Sequence, residues 1–262
     1  MTKRLLRYGL MTGLFAVLPL AAWAQNTTSV TSVHLLVGQP PMVVTLPTAT
    51  PDRYYDATVV AGRSYCAEAT GAETEVNQTD PVLALLHTDG TTALAGVVDT
   101  GNREPAGQTA ARMCFIAGTT ETVYIKISPF NSSFANLAYA VRFVETTLWA
   151  NWYFVAGDYS SFALVRNTTN AAVTATFAWR DTNGAQVTGS PVTRTVPADG
   201  IVFINVREVL GCVGTPCPSA QSIGSVEVAH NGSPEAIVGS ATTLAVTTGL
   251  SFDTIFFQRR AW

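Results

Sequence analysis

Charged residues are scarce in this chain, at 13% of its 262 residues, about half of the roughly 25% that is typical of soluble domains. Lysine is scarcer still, since Lys126 is the only lysine after residue 24. The formal net charge of the whole chain is −3. A nucleic-acid-binding surface needs a basic patch or stripe, which these residues do not supply. We therefore expect no nucleic-acid partner.

Long apolar runs are also rare, and the one that occurs lies at the N terminus. Residues 1–24 have the pattern of a cleaved secretory signal peptide. Its parts are the basic residues Lys3, Arg4 and Arg7, an apolar stretch over residues 10–20, and Ala22 and Ala24 before Gln25. No later run approaches the length of about 18 residues that a membrane-spanning helix needs, so we expect no membrane span.

Cleavage after residue 24 changes the charge of the chain. The removed segment contains three basic residues and no acidic one, so the net charge moves from −3 to −6. The sequence thus predicts a mildly acidic, secreted protein, located in the periplasm or outside the cell.

Helical periodicity is almost absent after residue 24, where only residues 206–210 favour a single helical turn. Short segments rich in β-branched residues alternate instead with turn signals such as Asp89-Gly90 and Asn183-Gly184, as in all-β proteins. The length suits two domains rather than one. We predict two consecutive β-sandwich domains, over residues 33–145 and 148–262, which abut near residues 145–148.

Cysteine is limited to four residues, two on each side of the predicted boundary. Pairing within the domains joins Cys66 to Cys114 and Cys212 to Cys217, and it is the arrangement that avoids a cross-link between the halves. Oxidation suits an exported protein, and we expect Cys66 and Cys114 to present their sulfur atoms inside one sandwich. The alternatives are buried reduced thiols or a metal site, but no closely spaced cysteine pair favours zinc.

Sequence motifs of catalysis are missing. Segment 62–66 lacks the last glycine of a nucleophile elbow, and no zinc-protease, phosphate-loop or dinucleotide motif occurs. His34, His87 and His230 lie far apart, in contexts typical of surface or edge residues. Candidate carboxylate pairs such as Glu227 with Glu235, or Asp52 with Asp56, come without a flanking pattern. Two small sandwiches also suggest no deep cleft. We predict no catalytic residues, no metal and no cofactor.

Aromatic residues cluster around the predicted domain boundary and near the C terminus. The first group supplies the candidate binding residues Trp149, Trp152, Tyr153 and Tyr159, and the second contains Phe252, Phe256, Phe257 and Trp262. Exposed rings stack on sugars or anchor protein interfaces. Strand alternation puts Trp152 and Phe154 on one face and Tyr153 on the other, so part of the first group belongs to a core.

The first half resembles the bacterial pre-peptidase C-terminal domain, a secreted β-sandwich, over residues 33–145. The resemblance rests on the order of short motifs, namely Pro51–Asp56, Ala61–Tyr65, Asp80–Leu85, His87–Gly90, Thr122–Ile127 and Tyr139–Val141. It implies a non-catalytic accessory role, and some relatives bind calcium. Here Asp99 stands where the family often has paired aspartates, so we expect Asp99 to be a turn residue and not a calcium ligand.

The second half looks loosely like an immunoglobulin-like or fibronectin-like module of bacterial surface proteins, over about residues 150–245. This likeness rests on hairpin spacing, and the Cys, Trp and Cys arrangement of antibody domains is absent. Together the observations predict a secreted, non-catalytic accessory at the bacterial cell surface that acts in adhesion or binds an extracellular glycan or protein. The alternative is an exported hydrolase with an unrecognised active site at the domain junction.

Overall fold

The structure is a computed structural model that describes residues 28–45, 52–71, 81–98, 110–129, 138–245 and 247–258. The predicted signal peptide, the predicted turn at Asp99 and the C-terminal Trp262 lie outside these residues. Nearly all regular structure in the described part is β-strand, so the predicted all-β fold class is confirmed.

The first half forms two sheets that face each other. Its strands are β1 (Val33–His34), β2 (Met42–Thr45), β3 (Arg53–Val59), β4 (Ser64–Gly71), β5 (Pro81–Leu86), β6 (Ala93–Val98), β7 (Ala110–Ile116), β8 (Glu121–Pro129) and β9 (Ala138–Glu145), after a 3-10 turn at Ser29–Thr31. Sheet I has the order β1-β3-β8-β5-β6, and sheet II has the order β2-β9-β4-β7.

The second half repeats this plan with two further sheets. Its strands are β10 (Leu148–Phe154), β11 (Tyr159–Asn167), β12 (Val173–Asp181), β13 (Val192–Val196), β14 (Ile201–Asn205), β15 (Ile223–His230), β16 (Ile237–Ala245), β17 (Ser251–Ile255) and β18 (Phe257–Gln258). Helix α1 (Val206–Val209) and a 3-10 turn at Ser219–Gln221 precede β15. Sheet III has the order β13-β12-β15-β10-β18, and sheet IV has the order β14-β11-β16-β17.

Each half has its own apolar core between its two sheets. In β3 and β8 every second side chain is buried, the alternation expected of a strand with one face on a core. In the first core, the hydroxyl groups of Tyr55 and Tyr139 hydrogen bond to each other. In the second core, Phe177 and Trp179 are fully buried, with ring centroids 5.8 Å apart. Two separate cores fit the sandwich prediction, while the predicted domain boundaries stay predictions.

Both predicted disulfides are present, but one lies in an unexpected place. Cys66 and Cys114 are directly opposite each other on the neighbouring strands β4 and β7. Their neighbours Tyr65 and Ala67 point into the first core, so the cysteines lie on the outer face of sheet II. The expectation that the sulfur atoms lie inside the sandwich is therefore wrong. Cys212 and Cys217 close a five-residue loop after α1.

The second half covers this outer face, which explains why Cys66 is fully buried. The Cys66 Sγ lies 3.7 Å from the carbonyl oxygen of Gly232, in the loop between β15 and β16. The connecting residues Thr146 and Thr147 are also fully buried. The Ser64 amide donates to the Thr147 hydroxyl at 2.9 Å, and the Thr146 amide donates to the Ser64 carbonyl at 2.8 Å. Hydrogen bonds therefore hold the connecting residues to the first half, and a loop of the second half packs on the disulfide.

Local turn chemistry follows the sequence closely. Asp89 accepts hydrogen bonds from the amides of Thr91 and Thr92, both at 2.8 Å, and so closes the turn after β5. The single helical turn predicted over residues 206–210 is α1, and the side chain of Asn205 caps it by accepting from the Arg207 amide. Within the described residues, no helix combines the length and the apolar character needed to cross a membrane.

Candidate functional site

Strand β10 positions most of the candidate aromatic residues, and a bulge decides which way they point. Ala150 pairs with Val226, but Tyr153 pairs with Gly224, so β10 has one extra residue between the two pairs. Such a bulge reverses the alternation of side chains along a strand. Leu148, Ala150 and Tyr153 are buried as a result, while Trp152 lies on the other face.

Four rings on the outside of the second half form a continuous chain, which we call the aromatic cluster: Trp152, Phe154, Tyr159 and Phe252. Their successive centroid distances are 5.5 Å for Tyr159 to Phe154, 6.1 Å for Phe154 to Trp152 and 6.2 Å for Trp152 to Phe252. Trp152 stacks parallel to Phe154 and meets Phe252 edge on. Phe252 is 49% exposed, and the other three are partly exposed.

Hydrogen bonds hold the backbone beneath this cluster. The Ser161 hydroxyl lies 2.7 Å from the Phe154 amide, 2.9 Å from the Phe154 carbonyl and 2.6 Å from the Thr243 hydroxyl. Ser161 and Thr243 are both buried. These contacts join β10, β11 and β16, so the rings stand on a fixed support.

Polar groups lie beside the rings. Asn151 is exposed next to Trp152 in the chain, and Asp158 is partly exposed next to Tyr159. The Thr247 hydroxyl donates to the Asp158 carboxylate, which lowers the pKa of that carboxyl group. Asp158 therefore stays ionised at neutral pH. Rings flanked by amide and carboxylate groups provide both stacking surfaces and hydrogen-bonding partners.

Two of the four predicted binding residues lie elsewhere. Tyr153 is fully buried, its hydroxyl donates to the Gln221 carbonyl at 3.0 Å, and burial raises its pKa to about 12. Tyr153 is thus a core residue and presents no ring to a ligand. Trp149 faces the first half, where the Arg63 guanidinium lies 5.1 Å from its ring centroid. The structure brings together Trp152 and Tyr159 and adds Phe154 and Phe252.

A cleft of about 840 Å³ lies between the two halves, although the sequence suggested no deep cleft. Val144 and Glu145 line it from the first half, and Glu235, Val238 and Ile255 from the second. Glu145 lies 3.5 Å from Arg63 and Glu235 is exposed. The cleft therefore combines apolar walls with two carboxyl groups.

The three histidines do not meet. His34 lies 2.6 Å from Asp56, and His87 lies 3.1 Å from Glu121, both at the surface of the first half. His230 is fully buried at the end of β15, against the expectation of a surface or edge position. Sequence reasoning missed this because Asn231-Gly232 marks a turn without showing that the other half covers it.

The buried ring of His230 has no hydrogen-bond partner among the described residues. Neither ring nitrogen reaches hydrogen-bond geometry there. Burial lowers its pKa to about 4, and the backbone groups of Thr146 and Gly232 offset this only in part. The ring is therefore neutral at pH 7. A general base needs a nucleophile or a water within hydrogen-bond reach, and no described side chain fills that role here.

One cluster places a serine, an aspartate and a histidine together. The Ser32 hydroxyl donates to Asp56 Oδ1 at 2.8 Å, and His34 Nδ1 lies 2.6 Å from Asp56 Oδ2. The carboxylate therefore stands between the other two groups. In a catalytic triad the histidine must contact the serine in order to take its proton, so this order does not activate Ser32.

The carboxylates considered as pairs from the sequence have separate partners or lie in different elements. Glu227 accepts from Arg180 Nε at 2.7 Å on the outer face of sheet III, while Glu235 lies in the loop after β15. Asp52 accepts from Ser128 at 2.6 Å and pairs with Lys126 at 2.7 Å. Across the described part of the chain, no three His, Cys, Asp or Glu side chains group closely enough to hold a metal.

Comparisons with known proteins give a partial likeness in structure. No family model and no curated protein matches the chain. A solved structure, the pre-peptidase C-terminal domain of a collagenase from Bacillus anthracis, matches 43% of this chain and 93% of its own, with 10% identity and a TM-score of 0.32. At these values no ligand or activity passes from that protein to this one. The immunoglobulin-like or fibronectin-like resemblance of the second half stays a prediction.

Proposed function

We propose that this protein is an exported, non-catalytic binding module of a bacterial cell surface, and that its ligand contacts the aromatic cluster. The two disulfides support a site of action outside the cytoplasm, because such bonds persist in oxidising compartments. The signal-like residues 1–24 also support export. The proposed ligand is an extracellular glycan or protein.

The observation that carries this proposal is the continuous run of four rings at the surface. Sugar rings present C–H groups on their faces, and aromatic side chains stack against them. The edge-on contact of Phe252 with Trp152 sets two ring planes at 80°, which makes a corner rather than a flat platform. A corner of this kind suits a single glycan chain or a short protein loop better than a crystalline surface.

The test compares ring removal inside and outside the cluster. Phe252 and Phe257 have similar exposures of 49% and 44%, but only Phe252 belongs to the cluster. We expect Trp152→Ala and Phe252→Ala to weaken binding to a glycan array or to matrix proteins by at least tenfold, since burying a large apolar side chain contributes about 1.5–3 kcal/mol. Phe257→Ala is the matched control and leaves binding unchanged.

Two outcomes contradict the proposal. If the unaltered protein shows no saturable binding in either screen, the binding role is refuted and a structural role replaces it. Phe257 lines the cleft between the halves, so if Phe257→Ala removes binding while Phe252→Ala does not, the ligand occupies that cleft and not the aromatic cluster.

The second candidate function is a hydrolase active in that cleft. It is favoured by the volume of the cleft and by the two carboxyl groups, Glu145 and Glu235, that line it, since paired carboxyl groups perform acid and base roles in glycoside hydrolysis. Turnover in a broad hydrolase panel that Glu235→Gln abolishes would establish this function. An inactive unaltered protein would leave the binding module as the better proposal.

A further inference from the structure

The outer face of sheet IV is unusually apolar for a surface that contacts solvent. Five large apolar side chains project from it and remain strongly exposed: Ile201 (59%), Phe203 (61%), Leu164 (40%), Val238 (49%) and Ile255 (76%). The outward face of an antiparallel sheet normally carries polar residues. The inward face of the same sheet already supplies the second core. Phe203 stacks on Phe162 of the neighbouring strand, with ring centroids 5.4 Å apart, yet all five side chains keep much of their surface open to solvent.

The register of the strands makes these side chains contiguous. Leu164 lies opposite Phe203 on one side and Ser240 on the other, and Ser240 lies opposite Ile255. The next row places Arg166 between Ile201 and Val238. The five side chains therefore form one patch across all four strands.

The size of the patch is appropriate for an interface. Aromatic side chains bury about 150–250 Å² each, and at about 175 Å² for each of the five side chains the exposed fractions given above correspond to about 500 Å² in total. A typical monomer has a largest apolar patch of about 300–600 Å² that is often functional, and a standard interface buries about 800 Å² on each partner. The apolar patch thus supplies more than half of one side of such an interface.

The charged groups of this face are placed to complement each other between copies. Among the described residues that project from it, the charged ones are Arg166 on β11 and Asp253 on β17. They are two strands and two rows apart, which is about 17 Å for ideal strand spacing. They are therefore too far apart to pair within one chain, and Ser240 lies midway between them.

We propose that two copies of this chain pair through the outer face of sheet IV, about a two-fold axis that lies parallel to the sheet and passes over Ser240. In a two-fold interface, each contact occurs twice: if one residue of the first copy contacts a second residue of the other copy, the same two residues also meet with the copies exchanged. The axis that places Arg166 of one copy against Asp253 of the other also brings Phe203 of one copy near Phe162 of the other. It likewise brings Ile255 of one copy near Val238 of the other. Both ion pairs and the apolar contacts then form together, and the small Ser240 side chain permits close approach.

Charge reversal tests this arrangement. In sedimentation velocity across a concentration series, the unaltered protein will form a dimer. Arg166→Asp places two pairs of like charges in the interface, as does Asp253→Arg, so each variant alone will dissociate with a dissociation constant raised at least tenfold. An equimolar mixture of the two variants will restore a heterodimer, because each reversed residue then meets its opposite charge.

Controls separate pairing from folding. Arg194→Asp makes the same charge change at an exposed position on β13 of sheet III and will leave the dimer intact. Phe203→Asp removes an apolar contact and will keep the protein monomeric in every mixture, with an unchanged circular dichroism spectrum. The proposal is overturned if the unaltered protein stays monomeric, if Arg166→Asp still dimerises, or if the mixture does not restore pairing. A monomer that captures a glycan or another protein on this face would identify a different occupant and overturn it as well.

Discussion

Protonation of His230 is expected to destabilise the second half of the protein as the pH falls. The pKa of this buried ring is about 4 in the folded chain, against 6.5 for an unperturbed histidine. Between these two values the unfolded chain binds the proton and the folded chain does not, so the free energy of unfolding decreases with decreasing pH. The contribution of the neutral His230 ring to the free energy of unfolding is fully present above about pH 6.5 and is lost as the pH falls towards 4.

The magnitude follows from the difference between the folded and unfolded pKa values of His230. A pKa that differs by one between the two states changes the free energy of unfolding by about 1.4 kcal/mol, so the loss between pH 7 and pH 4 is about 3 kcal/mol. Glu121 and Asp158 also have lowered pKa values, and they add losses of the same sign at still lower pH. A comparison with a variant is therefore needed to isolate His230.

The measurement is urea unfolding of the unaltered protein and of His230→Gln at a series of pH values. Tryptophan fluorescence reports on the second half, because Trp149, Trp152 and Trp179 all lie there. The difference in free energy of unfolding between the two proteins will change by about 3 kcal/mol from pH 7 to pH 4. His87→Gln, at a partly exposed ring in the first half, provides the matched control.

A constant difference between the two proteins over this pH range would mean that burial does not lower the pKa of His230. If His230→Gln does not fold, the ring proton resonances of His230 in the unaltered protein provide a second measurement. Their titration midpoint will lie near pH 4, and a midpoint near the unperturbed histidine value would show that the ring is accessible to solvent.

Two further substitutions and the removal of each disulfide test the packing and the cross-links. Trp179→Ala will lower the free energy of unfolding by about 3–5 kcal/mol, measured by urea unfolding, since this side chain is fully buried in the second core. Gly224→Ala will cost about 1–3 kcal/mol, because a Cβ there would lie 1.8 Å from the Arg180 carbonyl oxygen; near-normal stability would contradict that close approach. Loss of the Cys66 to Cys114 disulfide will cost about 4 kcal/mol against about 2 kcal/mol for Cys212 to Cys217, because the first closes the longer loop, and equal costs would refute this ranking.

The sequence predicted strands where a segment rich in β-branched residues adjoins a turn signal, as in β12 before Asn183-Gly184. It missed strands such as β13 and β17, which lie at sheet edges and whose residues are mostly polar or exposed. Edge strands have one neighbour and little burial, so their residues do not need an apolar pattern. Their pairing depends on the strands beside them, which local sequence does not specify.

The candidate site shows a similar division. Strand alternation correctly placed Tyr153 on the face opposite to Trp152 and Phe154. It would also place Ala150, three residues before Tyr153, on the opposite face, but the bulge puts Ala150 and Tyr153 on the same buried face. A bulge adds one residue to one strand, and nothing in residues 150–153 signals where it falls. The contact of Trp152 with Phe252 joins residues a hundred positions apart on two different sheets, so it depends on how sheets III and IV pack together.

Cys66 shows that a buried residue need not belong to the core of its own sandwich. The sequence favoured pairing with Cys114, and the structure contains that bond. Burial came from the other half, whose Gly232 covers the outer face of sheet II. A strand can thus be buried on both faces when only one of them belongs to its own core.

Strand β11 has a comparable pattern, which supports the proposed pairing of two copies. Its segment 162–165 is apolar without interruption, which is typical of a strand buried on both faces. Ala163 and Val165 are buried in the second core, but Leu164 is 40% exposed on the opposite face. In sheet II an equivalent double burial is completed by the other half of the chain. In sheet IV, Val238 and Ile255 border the cleft to the first half, yet Ile201, Phe203 and Leu164 remain 40–61% exposed. A second copy lying against this face would account for the apolar pattern.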